Sequence, residues 1–180
     1  MLVLTDARQR LWALLPLALA LVVWNVTWQL AGGTNALPLP AGTYQSLADE
    51  PVSLENRSGK PMVVNLWASW CPPCRREMPM MADVAATTTN AEFFFANQGE
   101  GRDRVAGYLA AQKLDLPAAI LDPFSELSRR YGAIGLPMTL FIGADGVLKH
   151  AHHGEISREI LQSNIARLNG NPSGDTLANP

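Results

Sequence analysis

The sequence predicts an α/β fold in which a mixed central sheet is flanked by helices on both faces. Short apolar, β-branched runs alternate with segments of helical spacing, which is typical of strands joined by crossover helices. The pattern then changes to a hairpin and a final helix, which predicts that antiparallel strands join the same sheet. The length of 180 residues suggests one domain with attached segments.

The first predicted elements surround the two cysteines of the chain. Residues 62–67 (Met-Val-Val-Asn-Leu-Trp) are apolar and rich in β-branched side chains, so they predict a buried strand. A tight passage at 68–70 leads to Pro72 and Pro73. These prolines suit the first turn of a helix, because backbone N–H groups there have no intrahelical partner. The helix is expected to continue over 75–86.

The remaining elements continue the alternation. Asp122 can cap a helix that has Pro123 at its first position. The Asp-Gly pair at 145–146 is a hairpin signal, and the last helix is expected to place Ile160 on its inner side. The predicted strands are 91–97, 118–121, 138–142 and 147–150, and the predicted helices are 101–113, 122–131 and 157–168.

The amino-terminal segment carries targeting information. Residues 11–30 contain no charged side chain, and Arg8 and Arg10 precede them. Because Lys and Arg favour the cytoplasmic side of a membrane, we expect a cytoplasmic amino terminus at 1–10 and an exported remainder. Residues 11–31 are predicted to be a transmembrane anchor or, alternatively, a cleaved signal sequence. A charge-free length of about 20 residues favours the anchor.

Composition divides the rest of the chain into three parts. Residues 32–42 are rich in Gly and Pro and predict a linker, 43–168 form the folded domain, and 169–180 are expected to be a flexible tail. The net charge is −2 and no basic run is present in the sequence. Nucleic-acid binding therefore has no support.

The two cysteines lie in the motif Trp-Cys-Pro-Pro-Cys at 70–74. Structural zinc would need two further ligands, usually a second such pair, and the sequence contains no second pair. The spacing favours a reversible disulfide between Cys71 and Cys74, with no metal or cofactor. Cys71 is predicted at a helix amino terminus, where the helix dipole favours the attacking thiolate, and Cys74 would be the resolving thiol.

The cysteine motif and Gly-Leu-Pro-Met-Thr at 135–139 resemble the thioredoxin fold. Four segments make the likeness more specific: the run at 64–79, Ala-Asn-Gln-Gly-Glu at 96–100, Leu-Asp at 121–122 and Phe-Ile-Gly-Ala-Asp-Gly at 141–146. Together they resemble the membrane-anchored TlpA/ResA/CcmG-type branch of thioredoxin-like thiol-disulfide oxidoreductases. The resemblance covers residues 45–168 and implies a thioredoxin-like fold. The 62 residues between Cys74 and Pro137 leave room for the extra strand–helix insertion of this branch.

Glu77 is the third candidate catalytic residue. The resemblance implies that it assists proton movement around the thiol pair. Asn65 stands where thioredoxin itself has a buried aspartate, as in the branch that this chain resembles. The alternative for Glu77 is a solvated helix residue beside Arg75 and Arg76, because surface glutamates commonly pair with such neighbours.

Pro137, which follows Leu136, is a candidate for substrate binding. The resemblance implies that Pro137 is a cis-proline facing the disulfide, with the Leu136 backbone pairing with an extended substrate segment. The alternative is a trans proline that begins a strand. Trp70 is expected to shield Cys71 and to contact substrate, and the alternative is a packing role alone. The expected substrate-binding residues are Trp70, Pro72, Pro73, Leu136 and Pro137.

The direction of electron flow depends on how well the reduced thiolate is stabilised. Pro72 and Pro73 supply no N–H group to the Cys71 thiolate, and the motif contains no histidine. We therefore expect a reductase of disulfides in protein substrates. The alternatives are a general disulfide oxidant or isomerase, and a copper-binding chaperone that uses Cys71, Cys74 and a histidine.

The resemblance also implies partners and a location. A reductant exported to an oxidising compartment needs electrons from across the membrane, which a DsbD/CcdA-type transmembrane protein supplies in this family. The substrates of the family include apocytochrome c, in cytochrome c biogenesis, and copper-site assembly proteins. The expected location is the bacterial inner membrane, with a single amino-terminal span and the catalytic domain in the periplasm or otherwise outside the cytoplasm.

Overall fold

A computed structural model describes residues 39–55, 59–116 and 118–170 of the chain. The predicted cytoplasmic segment at 1–10 and anchor at 11–31 lie outside these residues, as do most of the linker and the tail. Among the described residues, none of the helices is long and apolar enough to cross a membrane. In chain order the elements are β1 (Thr43–Ser46), β2 (Pro51–Ser53), β3 (Met62–Trp67), α1 (Pro72–Thr87), β4 (Glu92–Gln98), α2 (Arg102–Gln112), β5 (Ala119–Asp122), α3 (Glu126–Arg130), β6 (Met138–Ile142), β7 (Leu148–His153) and α4 (Arg158–Leu168).

The described strands form one mixed sheet in the order β2-β1-β5-β4-β3-β6-β7. Strands β3, β4 and β5 are parallel neighbours, whereas β6 runs antiparallel to β3 and β7 runs antiparallel to β6. Parallel neighbours end at the same edge of a sheet, and an antiparallel neighbour begins there. The ends of β3, β4 and β5 and the beginning of β6 therefore share one edge, which we call the carboxyl edge.

Two hydrophobic cores lie on opposite faces of the sheet, because successive strand residues point to opposite sides. On one face Val63, Phe95 and Phe141 pack with buried residues of α1, α2 and α4. On the other face Val64 packs in a cluster with Leu127 of α3. Helices thus cover both faces, which confirms the predicted α/β fold with a mixed central sheet.

Most local predictions agree with the structure. Strands β3 and β6 have the predicted bounds, and the turn at 145–146 joins β6 to β7. Helix α4 begins after Ser157, whose hydroxyl oxygen accepts a hydrogen bond from the Ile160 N–H at 3.3 Å. Leu161 and Ile165 are buried, but Ile160 is 43% exposed. Its inward placement is therefore wrong, since residues next to each other on a helix point about 100° apart.

The helix predicted at 122–131 is shorter in the structure, where α3 spans Glu126–Arg130. Pro123 lies in the preceding turn and not at the first helical position. Asp122 nevertheless caps this helix, because its carboxylate accepts hydrogen bonds from the backbone N–H groups of Glu126 (2.8 Å) and Leu127 (2.9 Å). The cap spans the turn and begins the helix later than the sequence suggests.

The β1–β2 hairpin has no counterpart among the predicted elements. Its strands are four and three residues long, and Tyr44 is the buried residue of β1 while Val52 is only half-buried. Strands of this length carry too little alternation to be recognised locally. Antiparallel pairing with β5, where Gln45 lies opposite Leu121, places the hairpin at the end of the sheet.

Candidate active site

The two cysteines form a disulfide at the amino end of α1, which confirms the predicted pair. Cys71 is the residue that caps the helix, and its Sγ accepts a hydrogen bond from the Cys74 N–H at 3.3 Å. Cys71 is only 2% exposed and Cys74 is fully buried. Both cysteines are therefore buried in this oxidised state, and their roles as attacking and resolving thiols stay predictions.

The first turn of α1 has a restricted set of donors. Pro72 and Pro73 occupy its first two positions, where they carry no N–H group. The N–H of Cys74 is thus the first donor of the helix in chain order, and it points at Cys71 Sγ. Trp70 lies beside the pair with 63% of its surface exposed, and Pro72 is also exposed.

A second loop reaches the carboxyl edge from the other side. The Leu136–Pro137 bond is cis, as predicted. Pro137 is buried directly before β6, and Leu66 of β3 lies opposite Met138 of β6. The same edge also carries Cys71, which follows the end of β3. The fold therefore brings the cis-proline loop and the disulfide to one edge of the sheet.

Glu77 is buried on α1, one turn beyond Cys74, with 2% of its surface exposed. Its Oε1 accepts a hydrogen bond from Asn65 Nδ2 at 3.0 Å, and its Oε2 accepts one from the Ile156 N–H at 2.8 Å. Arg76 instead pairs with Glu155, with 2.6 Å between Nη2 and Oε2. The alternative of a solvated Glu77 paired with its arginine neighbours is therefore wrong.

Burial raises the pKa of Glu77 to about 7, and the hydrogen bonds from Ile156 and Asn65 only partly offset this effect. The negative charge of Glu155 raises this pKa further. A carboxyl group with a pKa near neutrality can both accept and release a proton under ordinary conditions. Since Cys74 and Glu77 are three residues apart and both buried on α1, they lie on one face of the helix.

Two neighbours of the site are structural. Asn65 also donates a hydrogen bond to Thr139 Oγ1 at 3.2 Å, and so ties β3 to β6 beside Glu77. Trp67 is fully buried and contacts the Tyr108 ring, with 5.8 Å between ring centroids. Trp67 is thus a core residue, as predicted. The guanidinium of Arg75 lies over the same Tyr108 ring, 5.7 Å from its centroid.

Glu100 is a buried carboxylate near the site for which the sequence predicted no role. It is 5% exposed and binds Ser69, two residues before Cys71. Its sequence signal is weak: a glutamate after Gly99 at the end of a buried strand is ordinary loop composition. The motif at 96–100 contributes to the family resemblance, but it predicts no contact for Glu100. Only the fold shows that Glu100 reaches Ser69, in the turn that leads into the disulfide.

The chain is similar in sequence and in fold to known proteins. The chain matches the Redoxin family over residues 34–168. It is 28% identical over 134 residues to the thiol:disulfide interchange protein DsbE of Yersinia pestis, covering 73% of this chain and 70% of that protein. It is also 28% identical over 131 residues to the thiol-disulfide oxidoreductase ResA of Bacillus thuringiensis, covering 72% and 75%.

A solved structure with the same fold is a thioredoxin-family thiol:disulfide interchange protein from Chlorobium tepidum. It has a TM-score of 0.63 and 27% identity, covering 76% of this chain and 99% of that one. These likenesses confirm the predicted resemblance, and the family match includes the disulfide-bonded Cys71 and Cys74. The chain belongs to the Redoxin family and is a thiol-disulfide oxidoreductase.

Proposed function

We propose that this protein reduces disulfides in protein substrates outside the cytoplasm, with Cys71 as the attacking thiol and Cys74 as the resolving thiol. The observation that carries the proposal is the surroundings of Cys71 Sγ. Its helix supplies the Cys74 N–H, while Pro72 and Pro73 supply no donor, and the buried carboxyl group of Glu77 lies one turn beyond Cys74. A thiolate with few donors is weakly stabilised, so the reduced pair gives up electrons readily.

The first step is attack on the substrate. The Cys71 thiolate attacks one sulfur of a substrate disulfide, and a bond forms between Cys71 Sγ and that sulfur. The substrate S–S bond breaks at the same time, and the second substrate sulfur leaves as a thiolate. The product is a mixed disulfide between Cys71 and the substrate.

The second step releases the reduced substrate. Cys74 attacks Cys71 Sγ, the mixed disulfide breaks, and the remaining substrate sulfur leaves as a thiolate. Two electrons have then passed to the substrate, and the pair is left as the disulfide of the present structure. Cys74 must lose a proton to attack. Glu77 is proposed to accept this proton, since it lies on the same buried face of α1 and has a pKa of about 7.

Substrate docking is assigned to the surface around the disulfide. Trp70 and Pro72 are exposed there, and Pro73 and Leu136 are half-buried. An exposed indole beside the sulfurs offers apolar contact area to an unfolded segment. The proposed role of the cis-proline loop is to present the Leu136 backbone to an extended substrate strand, which would bind through main-chain hydrogen bonds.

The partners and the location are proposed from the amino-terminal sequence and the family resemblance. The charge-free run at 11–30 supports a single span that holds the domain on the outer side of a bacterial inner membrane. A DsbD/CcdA-type transmembrane protein is the proposed electron donor. Apocytochrome c and copper-site assembly proteins are the proposed classes of substrate.

The reduction potential of the Cys71–Cys74 pair tests the proposed direction. The full-length protein would be equilibrated with glutathione buffers, and the fraction of oxidised protein would be measured after acid quenching. We expect a potential nearer to about −270 mV, as in thioredoxin, than to about −120 mV, as in DsbA. A value above about −180 mV would favour a general oxidant or isomerase.

A parallel experiment separates the reductase from a copper-binding chaperone. Insulin reduction would be followed in the same preparation that is titrated with Cu(I). Rapid reduction with weak copper binding is the expected result. Tight binding of one Cu(I) with negligible insulin reduction would favour the chaperone instead.

A further inference from the structure

Glu100 is a buried carboxylate that the exchange mechanism does not use. Its Oε2 accepts hydrogen bonds from the Ser69 backbone N–H at 2.7 Å and from Asn97 Nδ2 at 2.8 Å. Its Oε1 accepts one from the Ser69 hydroxyl at 2.6 Å. A single carboxylate thus holds both the main chain and the side chain of Ser69. Such charge-assisted hydrogen bonds are short and stronger than neutral ones.

The backbone of the β4–α2 loop aims Glu100 at this target. The backbone pairing of strands β3 and β4 ends where Trp67 lies opposite Asn97. Gly99 has a φ of +75°, a conformation that glycine adopts without strain. The chain turns there, and the Glu100 side chain continues the contact between the two strands past the last backbone pair.

Ser69 belongs to the turn that delivers the attacking cysteine. The Cys71 N–H donates a hydrogen bond to the Ala68 carbonyl at 3.2 Å, which closes a turn over 68–71. This turn sets where the chain leaves β3 and where α1 begins. Glu100 holds Ser69 by hydrogen bonds, and Ser69 lies in the turn that places Cys71. The position of Cys71 Sγ therefore depends on Glu100.

We propose that Glu100 is a positioning residue for thiol-disulfide exchange, which fixes the turn over 68–71 so that Cys71 Sγ meets Cys74 in bonding geometry. The assignment depends only on exchange at this pair and not on the direction of electron flow. A fixed turn raises the effective concentration of one sulfur at the other and so favours the closed disulfide. A loosened turn lowers that effective concentration.

A carboxylate suits this task better than an amide. Ser69 offers two donors, its N–H and its hydroxyl, and the Asn97 amide offers a third. Both oxygens of a carboxylate accept hydrogen bonds, whereas a glutamine would turn one N–H₂ group toward a donor. The Nε of Arg104 lies 3.9 Å from Oε1 and adds an opposite charge at the open side of the contact.

The test is the equilibrium constant for closing the Cys71–Cys74 disulfide against glutathione, measured in the full-length protein. The variants are Glu100→Gln, Ser69→Ala and the double variant. We expect the constant to fall about tenfold in Glu100→Gln and about threefold in Ser69→Ala. In the double variant it should match Glu100→Gln alone, because two members of one contact are not additive.

The matched control is Asp122→Asn. Asp122 is also a buried carboxylate at the carboxyl edge, but its side chain caps α3, and among the described residues no hydrogen bond joins that side chain to residues 68–71. The Asp122→Asn substitution should lower thermal stability and leave the constant for disulfide closure within about twofold of wild type. Ser69→Ala removes one hydroxyl of a half-buried residue, so it keeps the test open if Glu100→Gln folds poorly.

Three outcomes would overturn the assignment. They are an unchanged disulfide equilibrium in Ser69→Ala and Glu100→Gln, effects that multiply in the double variant, or a change in Asp122→Asn as large as that in Glu100→Gln. The last would mean that loss of overall stability alone moves the equilibrium. The wild-type constant by itself decides whether the protein is a reductant, and the ratios between variants decide the role of Glu100, so the two proposals fail separately.

Discussion

Glu77 and Glu100 are both buried carboxyl groups near the disulfide, but their surroundings differ. In the described residues Glu77 accepts hydrogen bonds from two donors, the Asn65 amide and the Ile156 N–H. Glu100 accepts three, two of them from Ser69, and has Arg104 at 3.9 Å. Burial alone therefore does not define what a carboxyl group does. The first arrangement suits a group that exchanges a proton, and the second suits one that holds a neighbouring turn.

The largest expected effect is the loss of disulfide reduction when either cysteine is replaced. Cys71→Ser should abolish disulfide reduction, because no thiolate is left to attack. Cys74→Ser should accumulate mixed disulfides through Cys71, since the second step cannot occur. Non-reducing gels and mass spectrometry of trapped complexes would measure both. A partner trapped on Cys74 in the Cys71→Ser variant would reverse the two roles, and Glu77 would then lie behind the attacking thiol.

The next effect is the pH dependence of stability at Glu77. The pKa of this group is about 7 in the folded protein and ordinarily 4.5. Between these values the folded state holds a proton that the unfolded chain has released, so stability falls as pH rises from about 4.5 to about 7. The ionised carboxylate then lowers the free energy of unfolding by roughly 3 kcal/mol.

Urea denaturation of the oxidised protein between pH 4 and pH 8, compared with Glu77→Gln, would measure this effect. The glutamine variant should lack this part of the pH dependence. Parallel stability curves for the two proteins would show that Glu77 titrates normally, and its proposed part in proton transfer would lose its basis.

Replacing each carboxyl group by an amide should also change the free energy of unfolding in different directions. At pH 8, Glu100→Gln should lower the free energy of unfolding by about 2 kcal/mol, because a donor of Ser69 loses its acceptor. Glu77→Gln should leave stability unchanged or raise it, since it removes a buried charge. The same denaturation series gives both values. Equal losses in the two variants would mean that the carboxyl groups play one common structural role.

A smaller effect is expected on the Cys71 thiol. An ionised Glu77 opposes a thiolate nearby through like-charge repulsion. Glu77→Gln should therefore lower the pKa of Cys71, by less than about one pH unit at this separation. The rate of iodoacetamide alkylation against pH reports it in the reduced protein. Asp83→Asn, which removes an exposed carboxylate further along α1, is the control and should cause no comparable shift.

The smallest effect belongs to the surface pair of Arg76 and Glu155. The negative charge of Glu155 raises the pKa of Glu77. Arg76 pairs with Glu155, with 2.6 Å between Arg76 Nη2 and Glu155 Oε2. Arg76→Ala leaves that negative charge uncompensated, so the pKa of Glu77 should rise slightly. Exposed charges are screened by solvent and salt, which keeps the change small. A midpoint that moves down in the stability profile of Arg76→Ala would contradict this coupling.

The local parts of the site were predictable because they depend on neighbours in the chain. An apolar β-branched run, a turn and two prolines predict β3 and the start of α1, and the spacing of two cysteines predicts the disulfide. The β1–β2 hairpin was not predictable, because its short strands are ordered by pairing with β5. Ile160 was misplaced for a similar reason, since the neighbouring elements decide which face of α4 is covered.

The sequence by itself determined the redox pair and the order of strands and helices around it, and the family resemblance added Glu77 and the cis-proline loop before β6. Only the tertiary structure decided that Glu77 is buried rather than solvated, and that Glu100 lies against Ser69. Glu77 is buried because β3 supplies Asn65 and a loop 79 residues along the chain supplies the Ile156 N–H. Glu100 reaches Ser69 across 31 residues. Burial and hydrogen-bond partners are properties of distant segments brought together, so no local pattern of residue types contains them.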